Sequence, residues 1–141
     1  MIVQKAYLNS QKIFLLVRDD GSPVEEVARY MKSLAIRNLS PNTMKTYCGG
    51  LKLFCQFLEI IDLDYQSIGY RDLVDFVIWL RKPYSKEDKV ISLGGATTRA
   101  PSTCNLYVTA VCEYLRYLAT DGLVSMESGS YTQLRAHETL S

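Results

Sequence analysis

Two segments of the chain begin with proline beside small polar residues and continue as long amphipathic runs. One begins at Ser40-Pro41 and the other at Pro101-Ser102-Thr103. In the first, Ser40 suits the cap, and Pro41 suits the first helical position because the amide that proline lacks is unpaired there. Both runs repeat apolar residues every three or four positions, which is the period of one helical face. Two long helices therefore constrain the fold more strongly than any other feature.

Two shorter helices are predicted beside the long ones. Ser22 to Glu25 gives a start signal in which Ser22 caps the helix and Glu25 completes a capping box. Gly69 to Asp72 begins a further helix, which Pro83 ends because proline cannot continue the helical hydrogen bonds, and a long loop follows. The sequence thus predicts an all-α fold, a compact bundle of four to five helices.

The N-terminus differs in pattern from the rest of the chain. Residues 2–18 carry β-favouring stretches, and a turn signal follows at residues 19–22. These features predict a short strand or β-hairpin ahead of the bundle. Near the C-terminus, the residues are polar and weakly patterned, as is typical of a linker. We therefore divide the chain into an N-terminal arm at 1–21, a helical domain at 22–124 and a linker at 125–141.

The composition excludes several classes of protein. Hydrophobic residues make up 48% of the chain, which is enough for a core and argues against disorder. No apolar stretch is long enough to cross a bilayer and no signal peptide is recognisable, so a soluble, cytoplasmic protein without a membrane partner is expected. Sixteen Lys and Arg stand against fifteen Asp and Glu. A nucleic-acid site, if the chain has one, must therefore depend on local rather than net charge.

The cysteines are predicted to be reduced thiols in the core. Cys48 and Cys55 lie seven positions apart, and Cys104 and Cys112 lie eight apart, which places each pair on one side of a helix. Zinc sites use closer pairs such as Cys-x-x-Cys with further ligands, and His137 is the only histidine. We therefore expect no metal and no cofactor.

Both long helices carry strings that resemble one known family. The first string is Leu39 to Thr43, followed by Tyr47, Leu51, Phe54 and Leu58. The second is Ser102 to Asn105, followed by Val108, Val111, Tyr114, Leu115, Tyr117 and Leu118, with Asp121 to Leu123 after them. Ile68 to Leu80 fits a middle helix between the two. Over about residues 22–124, this arrangement resembles the N-terminal core-binding domain of Xer-like tyrosine recombinases and phage integrases.

The resemblance implies a SAM-like bundle that grips duplex DNA at a recombination site, with its second and fourth helices toward the major groove. The implied partners are double-stranded DNA, the catalytic domain of the same parent chain and other recombinase protomers on DNA. Neither a His-x-x-Arg motif nor a place for the downstream nucleophilic tyrosine is present. This fragment is therefore predicted to be non-catalytic, and its parent protein to cleave and rejoin DNA. The resemblance also implies a monomer, because assembly in this family depends largely on DNA and on the catalytic domain. Ser125 follows Val124 where many members have an Asn-Pro pair, which leaves the exact end of the domain open.

Polar residues opposite the buried stripe of the first long helix are candidate DNA contacts. That face carries no acidic residue. Lysines there suit phosphates, other polar side chains suit phosphates or base edges, and a glycine permits close approach to a groove wall. The candidates on this helix are Asn42, Thr43, Lys45, Thr46, Gly49 and Lys52. A solvated helix face has a similar composition, and it is the resemblance that favours DNA.

The start of the second long helix is the other candidate DNA contact. The free amides at a helix start form a ready phosphate site, although the same hydroxyls also suit simple capping. Glu113, farther along, would repel phosphate, so the DNA is placed at the helix start. The candidates here are Ser102, Thr103, Asn105 and Thr109, together with Arg99 in the preceding loop. A lone loop arginine also fits an exposed side chain without a role.

Two other functions compete with DNA binding. A helical protein-interaction module would use Leu53, Ile60 and Leu106 as apolar contacts, and it predicts no salt-sensitive DNA binding. A free-standing hydrolase is disfavoured because the chain has one histidine, no glycine-rich phosphate loop and no nucleophile elbow.

Overall fold

The computed structural model describes residues 1–82 and 98–120. The order of elements is β1 (Ile2–Leu8), β2 (Gln11–Val17), α1 (Glu25–Ile36), α2 (Pro41–Ile60), α3 (Tyr70–Arg81) and α4 (Pro101–Thr120), with a 3-10 turn at Tyr65–Ser67. Four helices and a short hairpin confirm the predicted helical bundle with a small β element. Most of the loop after Pro83, the stop at Asp121-Gly122 and the linker at 125–141 lie outside the described residues.

The hairpin belongs to the same core as the helices. Its strands pair antiparallel, from Ile2 opposite Val17 to Leu8 opposite Gln11. The two residues between the strands, at positions 9 and 10, have φ of 49° and 68°, as a type I′ turn requires. β2 packs against α1 and α2 and buries Ile13, Phe14 and Leu16. The arm at 1–21 therefore contributes apolar side chains to the bundle.

The start of α1 differs from the prediction that Ser22 would cap it. The helix begins at Glu25, and Val24 precedes it without a side-chain capping bond. Val24 instead donates its amide to the Leu16 carbonyl at 2.9 Å, which keeps the chain extended beside β2. The Ser22 hydroxyl is engaged with the Asp20 carboxylate at 2.6 Å. The predicted capping box is therefore wrong, because strand pairing holds these residues outside the helix.

Aromatic rings join α3 to α2. The Phe76 ring of α3 lies 5.1 Å from Phe54 and 5.5 Å from Phe57, measured between centroids. Trp79 lies one turn along α3, and its ring is tilted against that of Phe57 at 5.5 Å between centroids. Centroid distances of this size are typical of favourable ring pairs. This cluster sets the position of the C-terminal end of α3, which borders the candidate site.

The cysteines are free thiols. Cys48, Cys104 and Cys112 are buried, and Cys55 is half-buried against the core. Burial raises the pKa of Cys48 to about 12 and that of Cys55 to about 11. Within residues 1–82 and 98–120, no cluster of His, Cys, Asp or Glu side chains could hold a metal ion. No helix in those ranges combines the length with the apolar character that a membrane span requires.

Candidate nucleic-acid interface

Ser40 caps α2, as the sequence predicts. Its Oγ accepts a hydrogen bond from the Thr43 amide at 3.2 Å, and the two hydroxyl oxygens lie 2.9 Å apart. Pro41 takes the first helical position. The Thr43 hydroxyl is therefore engaged at the cap, so a phosphate contact by this residue would share the hydroxyl with Ser40.

The predicted polar face of α2 is partly open to solvent. Asn42 and Lys45 are exposed, whereas Thr46, Gly49 and Lys52 are half-buried. The Thr46 hydroxyl donates to the Asn42 carbonyl at 3.1 Å, inside its own helix. Neither lysine forms an ion pair with the described part of the chain. Because α2 has no acidic residue before its last turn, both ammonium groups can attract an external anion.

The two glycines of α2 have different surroundings. A Cβ atom on Gly50 would stand 3.0 Å from Cδ1 of Tyr107 on α4 and 3.1 Å from its Cα. A Cβ on Gly49 would meet nothing nearer than the Tyr107 hydroxyl at 3.9 Å. A side chain at position 50 would require Tyr107 to give by a few tenths of an ångström, so the close crossing of α2 and α4 favours glycine there. The approach of Gly49 to a groove wall stays a prediction.

The first turn of α4 lacks the side-chain cap that α2 has. Ala100 precedes the helix, and its methyl group cannot accept a hydrogen bond. The amides of Ser102 and Thr103 donate to no side chain within residues 1–82 and 98–120. Ser102 and Asn105 are exposed, and Thr103 and Thr109 are half-buried. The start of α4 thus presents amide donors and exposed polar side chains together.

Arg99 lies between the end of α3 and the start of α4. Its Nη1 donates a hydrogen bond to the Leu80 carbonyl at 3.0 Å, and its Cζ lies 6.0 Å from the centroid of the Trp79 ring. The guanidinium therefore ties the two helix ends together. A cleft of about 390 Å³ opens beside it, lined by Arg81, Thr98, Arg99, Pro101, Cys104 and Asn105. A direct contact between Arg99 and phosphate stays a prediction.

The first turns of the four helices differ in charge. α1 carries Glu25 and Glu26 there, and α3 carries Asp72, whose carboxylate accepts from the Gly69 amide at 2.9 Å. α2 and α4 have no acidic residue in their first turns. Acidic side chains normally complement the partial positive charge of a helix start. α2 and α4 therefore keep that positive charge available to a phosphate.

Tyr107 also belongs to this region, although the sequence patterns do not single it out. It lies at the crossing of α2 and α4 and is half-buried against the core. The adjacent glycines at 49 and 50 are the only signal that could have found it, since they indicate that another helix passes close by. Periodicity alone places Tyr107 on a side of α4 but does not reveal which helix crosses there.

The apolar residues of the rival interaction module do not share one environment. Leu53 is half-buried and packs on the core. Ile60 is 66% exposed at the end of α2, and Leu106 is 47% exposed on α4. Single exposed apolar side chains are normal on protein surfaces.

The sequence matches a known family and curated relatives. Residues 27–88 match the family described as phage integrase, N-terminal SAM-like domain. Transposase A from transposon Tn554 of Staphylococcus aureus strains Mu50 and N315 is 34% identical over 111 residues, which cover 78% of this chain and 30% of the relative. The chain thus spans less than a third of the length of these relatives. No solved structure matches. Residues 27–88 therefore belong to the phage integrase family and form its N-terminal SAM-like domain.

Proposed function

We propose that this chain is the DNA-binding, core-binding domain of a site-specific recombinase, and that it contacts duplex DNA through the polar face of α2 and the start of α4. The observation that carries the proposal is the charge of the helix starts. α2 and α4 leave their first turns free of acidic residues, whereas α1 and α3 do not. Such uncompensated positive ends favour contact with phosphate.

Each candidate residue has a role that suits its chemistry. Lys45 and Lys52 neutralise phosphates, and Asn42 and Asn105, whose side chains are exposed, carry amide groups that suit base edges. The α4 amides bind a phosphate oxygen directly, in the manner of a helix N-terminus. The hydroxyls at the two helix starts and along their faces bond the DNA backbone, and they belong to Thr43, Thr46, Ser102, Thr103 and Thr109.

Catalysis is assigned to another part of the parent protein. The relatives named above extend well beyond the region that this chain matches. We propose that the domain at 22–124 works with a catalytic domain of the same parent chain and with other protomers assembled on DNA, and that 125–141 leads toward that catalytic domain. On its own, the domain is expected to be a monomer in the cytoplasm that binds DNA without cleaving it.

Lysine substitutions test the proposed surface. Lys45→Ala and Lys52→Ala are each expected to weaken binding to a short labelled duplex, selected from a random pool by the wild-type chain. Each should lower the slope of log affinity against log salt by about one, because one phosphate contact and its released counterion are lost. Binding is followed by fluorescence anisotropy at several salt concentrations.

Lys32→Ala is the matched control, since Lys32 is an exposed lysine on α1. It removes the same charge from a helix outside the proposed surface and should leave the salt slope unchanged. Equal effects of all three substitutions would show that net charge alone attracts the DNA, and they would refute this surface. Failure of the wild-type chain to select any duplex would favour the protein-interaction module instead.

A further inference from the structure

Tyr107 is held in a fixed position at the crossing of α2 and α4. A Cβ atom on Gly50 would stand between 3.0 and 3.2 Å from Cδ1, Cα and Cβ of Tyr107. The two helices therefore approach so closely here that a side chain at position 50 would press against the tyrosine. The α4 backbone at Tyr107 and the Cβ atom of this residue are therefore both packed against α2.

The ring of Tyr107 extends from Gly50 toward Gly49. A Cβ on Gly49 would lie 4.0 Å from Cε1 of the ring and 3.9 Å from its hydroxyl oxygen. Lys45 precedes Gly49 by four positions and Lys52 follows it by three, so the three residues share one helix face. The hydroxyl therefore lies beside the acid-free face of α2, between the two lysines along the helix.

The Tyr107 hydroxyl makes no hydrogen bond to residues 1–82 or 98–120. The Tyr107 hydroxyl is not buried either. In that part of the chain, the buried side-chain oxygen without a hydrogen-bond partner is that of Tyr30. A phenol oxygen that is neither bonded nor buried is open to solvent. A rigid ring with a solvent-facing donor loses little conformational freedom when it binds a ligand.

We propose that Tyr107 is a further DNA-contacting residue, whose hydroxyl donates a hydrogen bond to a backbone phosphate at the junction of α2 and α4. This inference rests on the proposed DNA binding of that surface. Tyrosine hydroxyls are among the side-chain donors that position a protein on the DNA backbone. Because the phenol is neutral, its contact releases no counterion and leaves the salt dependence to the lysines.

Tyr107→Phe tests the inference by removing one oxygen and retaining the ring. Its affinity for the selected duplex should fall about three- to tenfold, the loss expected for a hydrogen bond to a charged acceptor that water partly replaces. The slope of log affinity against log salt should match that of the wild-type chain. The thermal unfolding midpoint should also match, since the hydroxyl has no partner in the described protein.

Tyr117→Phe is the matched control on the same helix. Tyr117 is half-buried, and it lies ten residues, roughly 15 Å, farther along α4. Its affinity should equal that of the wild-type chain. Wild-type affinity for Tyr107→Phe, or a lowered unfolding midpoint, would overturn the inference while Lys45→Ala still tests the proposed surface. If Lys45→Ala also binds as the wild-type chain does, the surface fails together with the inference.

Discussion

The two halves of α4 pack against their neighbours in opposite ways. The first half meets α2 at Gly50, where the backbones come close and the Tyr107 hydroxyl stays open to solvent. The second half meets α1 through rings, with the Tyr30 centroid 5.4 Å from those of Tyr114 and Tyr117. There the Tyr30 hydroxyl is buried without a hydrogen-bond partner in the described residues. The first half therefore leaves the Tyr107 hydroxyl open to solvent, whereas the second half buries the Tyr30 hydroxyl.

Charge follows the same division of α4. The first half has no acidic residue, whereas the second carries Glu113 beside a cleft of about 370 Å³ that Tyr30, Arg37 and Arg116 also line. The pKa of Tyr30 is raised, first by burial and then by the negative charge of Glu113. An acidic residue is tolerable here because the proposed DNA lies at the other end. The comparison supports the proposal that α4 contacts DNA at its start, and it shows that aromatic packing anchors the other end of the helix.

Gly50→Ala should have the largest effect, because it breaks the crossing at the first half of α4. The added methyl would stand 3.1 Å from Tyr107 Cα, which is backbone and cannot move aside alone. We expect a loss of about 1–3 kcal/mol in the free energy of unfolding, as for other overpacked cores. Urea denaturation measures the loss.

Gly49→Ala is the matched control for that substitution. Its methyl would meet nothing nearer than 3.9 Å, so the helix should gain up to about 1 kcal/mol from the better propensity of alanine. Equal destabilisation by the two substitutions would show that the crossing does not depend on Gly50.

The sequence predicts the long helices well because their signals are local. Ser40 and Pro41 define the start of α2 through a cap and a fixed backbone angle, and both act within one turn. The start of α1 was mispredicted because pairing between Val24 and Leu16 is a contact with β2 that no local pattern contains. Local sequence signals therefore predict which segments are helical, whereas tertiary contacts determine where a helix such as α1 begins.

The candidate site was predictable only in part, for the same reason. Periodicity places Lys45 and Lys52 on one face of α2 without knowledge of the fold. It does not reveal that Arg99 reaches back to the Leu80 carbonyl, since that contact joins residues nineteen positions apart. The position of Tyr107 beside Gly49 likewise depends on how two helices cross.

Arg99→Lys should have an intermediate effect and tests how the start of α4 is held. Lysine keeps the positive charge but loses the planar fork that bonds the Leu80 carbonyl and lies near the Trp79 ring. We expect a loss of about 1 kcal/mol in the free energy of unfolding, together with weaker duplex binding at an unchanged salt slope. Wild-type stability with weaker duplex binding would instead assign Arg99 to a direct contact with DNA, because the fork of the guanidinium would then bond the duplex rather than the Leu80 carbonyl.

Tyr30→Phe should have the smallest effect at neutral pH, and it sharpens the description of the second half of α4. The substitution keeps the ring contacts and removes a buried hydroxyl that has no partner in the described residues. Stability at pH 7 should therefore stay the same or rise by up to about 1 kcal/mol. A clear loss would mean that the hydroxyl has a bonding partner in solution, either the Glu113 carboxylate, whose interaction also raises the pKa of Tyr30, or a water in the cleft.

Alkaline pH gives the same variant a second readout. The folded protein keeps the Tyr30 proton above the usual pKa of about 10, whereas the unfolded chain releases it. The unfolded state then binds fewer protons, so wild-type stability falls as pH rises above about 10, by up to about 1.4 kcal/mol per pH unit for this group. Tyr30→Phe removes this part of the slope, while Tyr114, whose pKa burial also raises, keeps its own. Identical alkaline slopes for the variant and the wild-type chain would show that the Tyr30 hydroxyl is hydrated. The two halves of α4 would then differ only in ring packing and in the charge of Glu113.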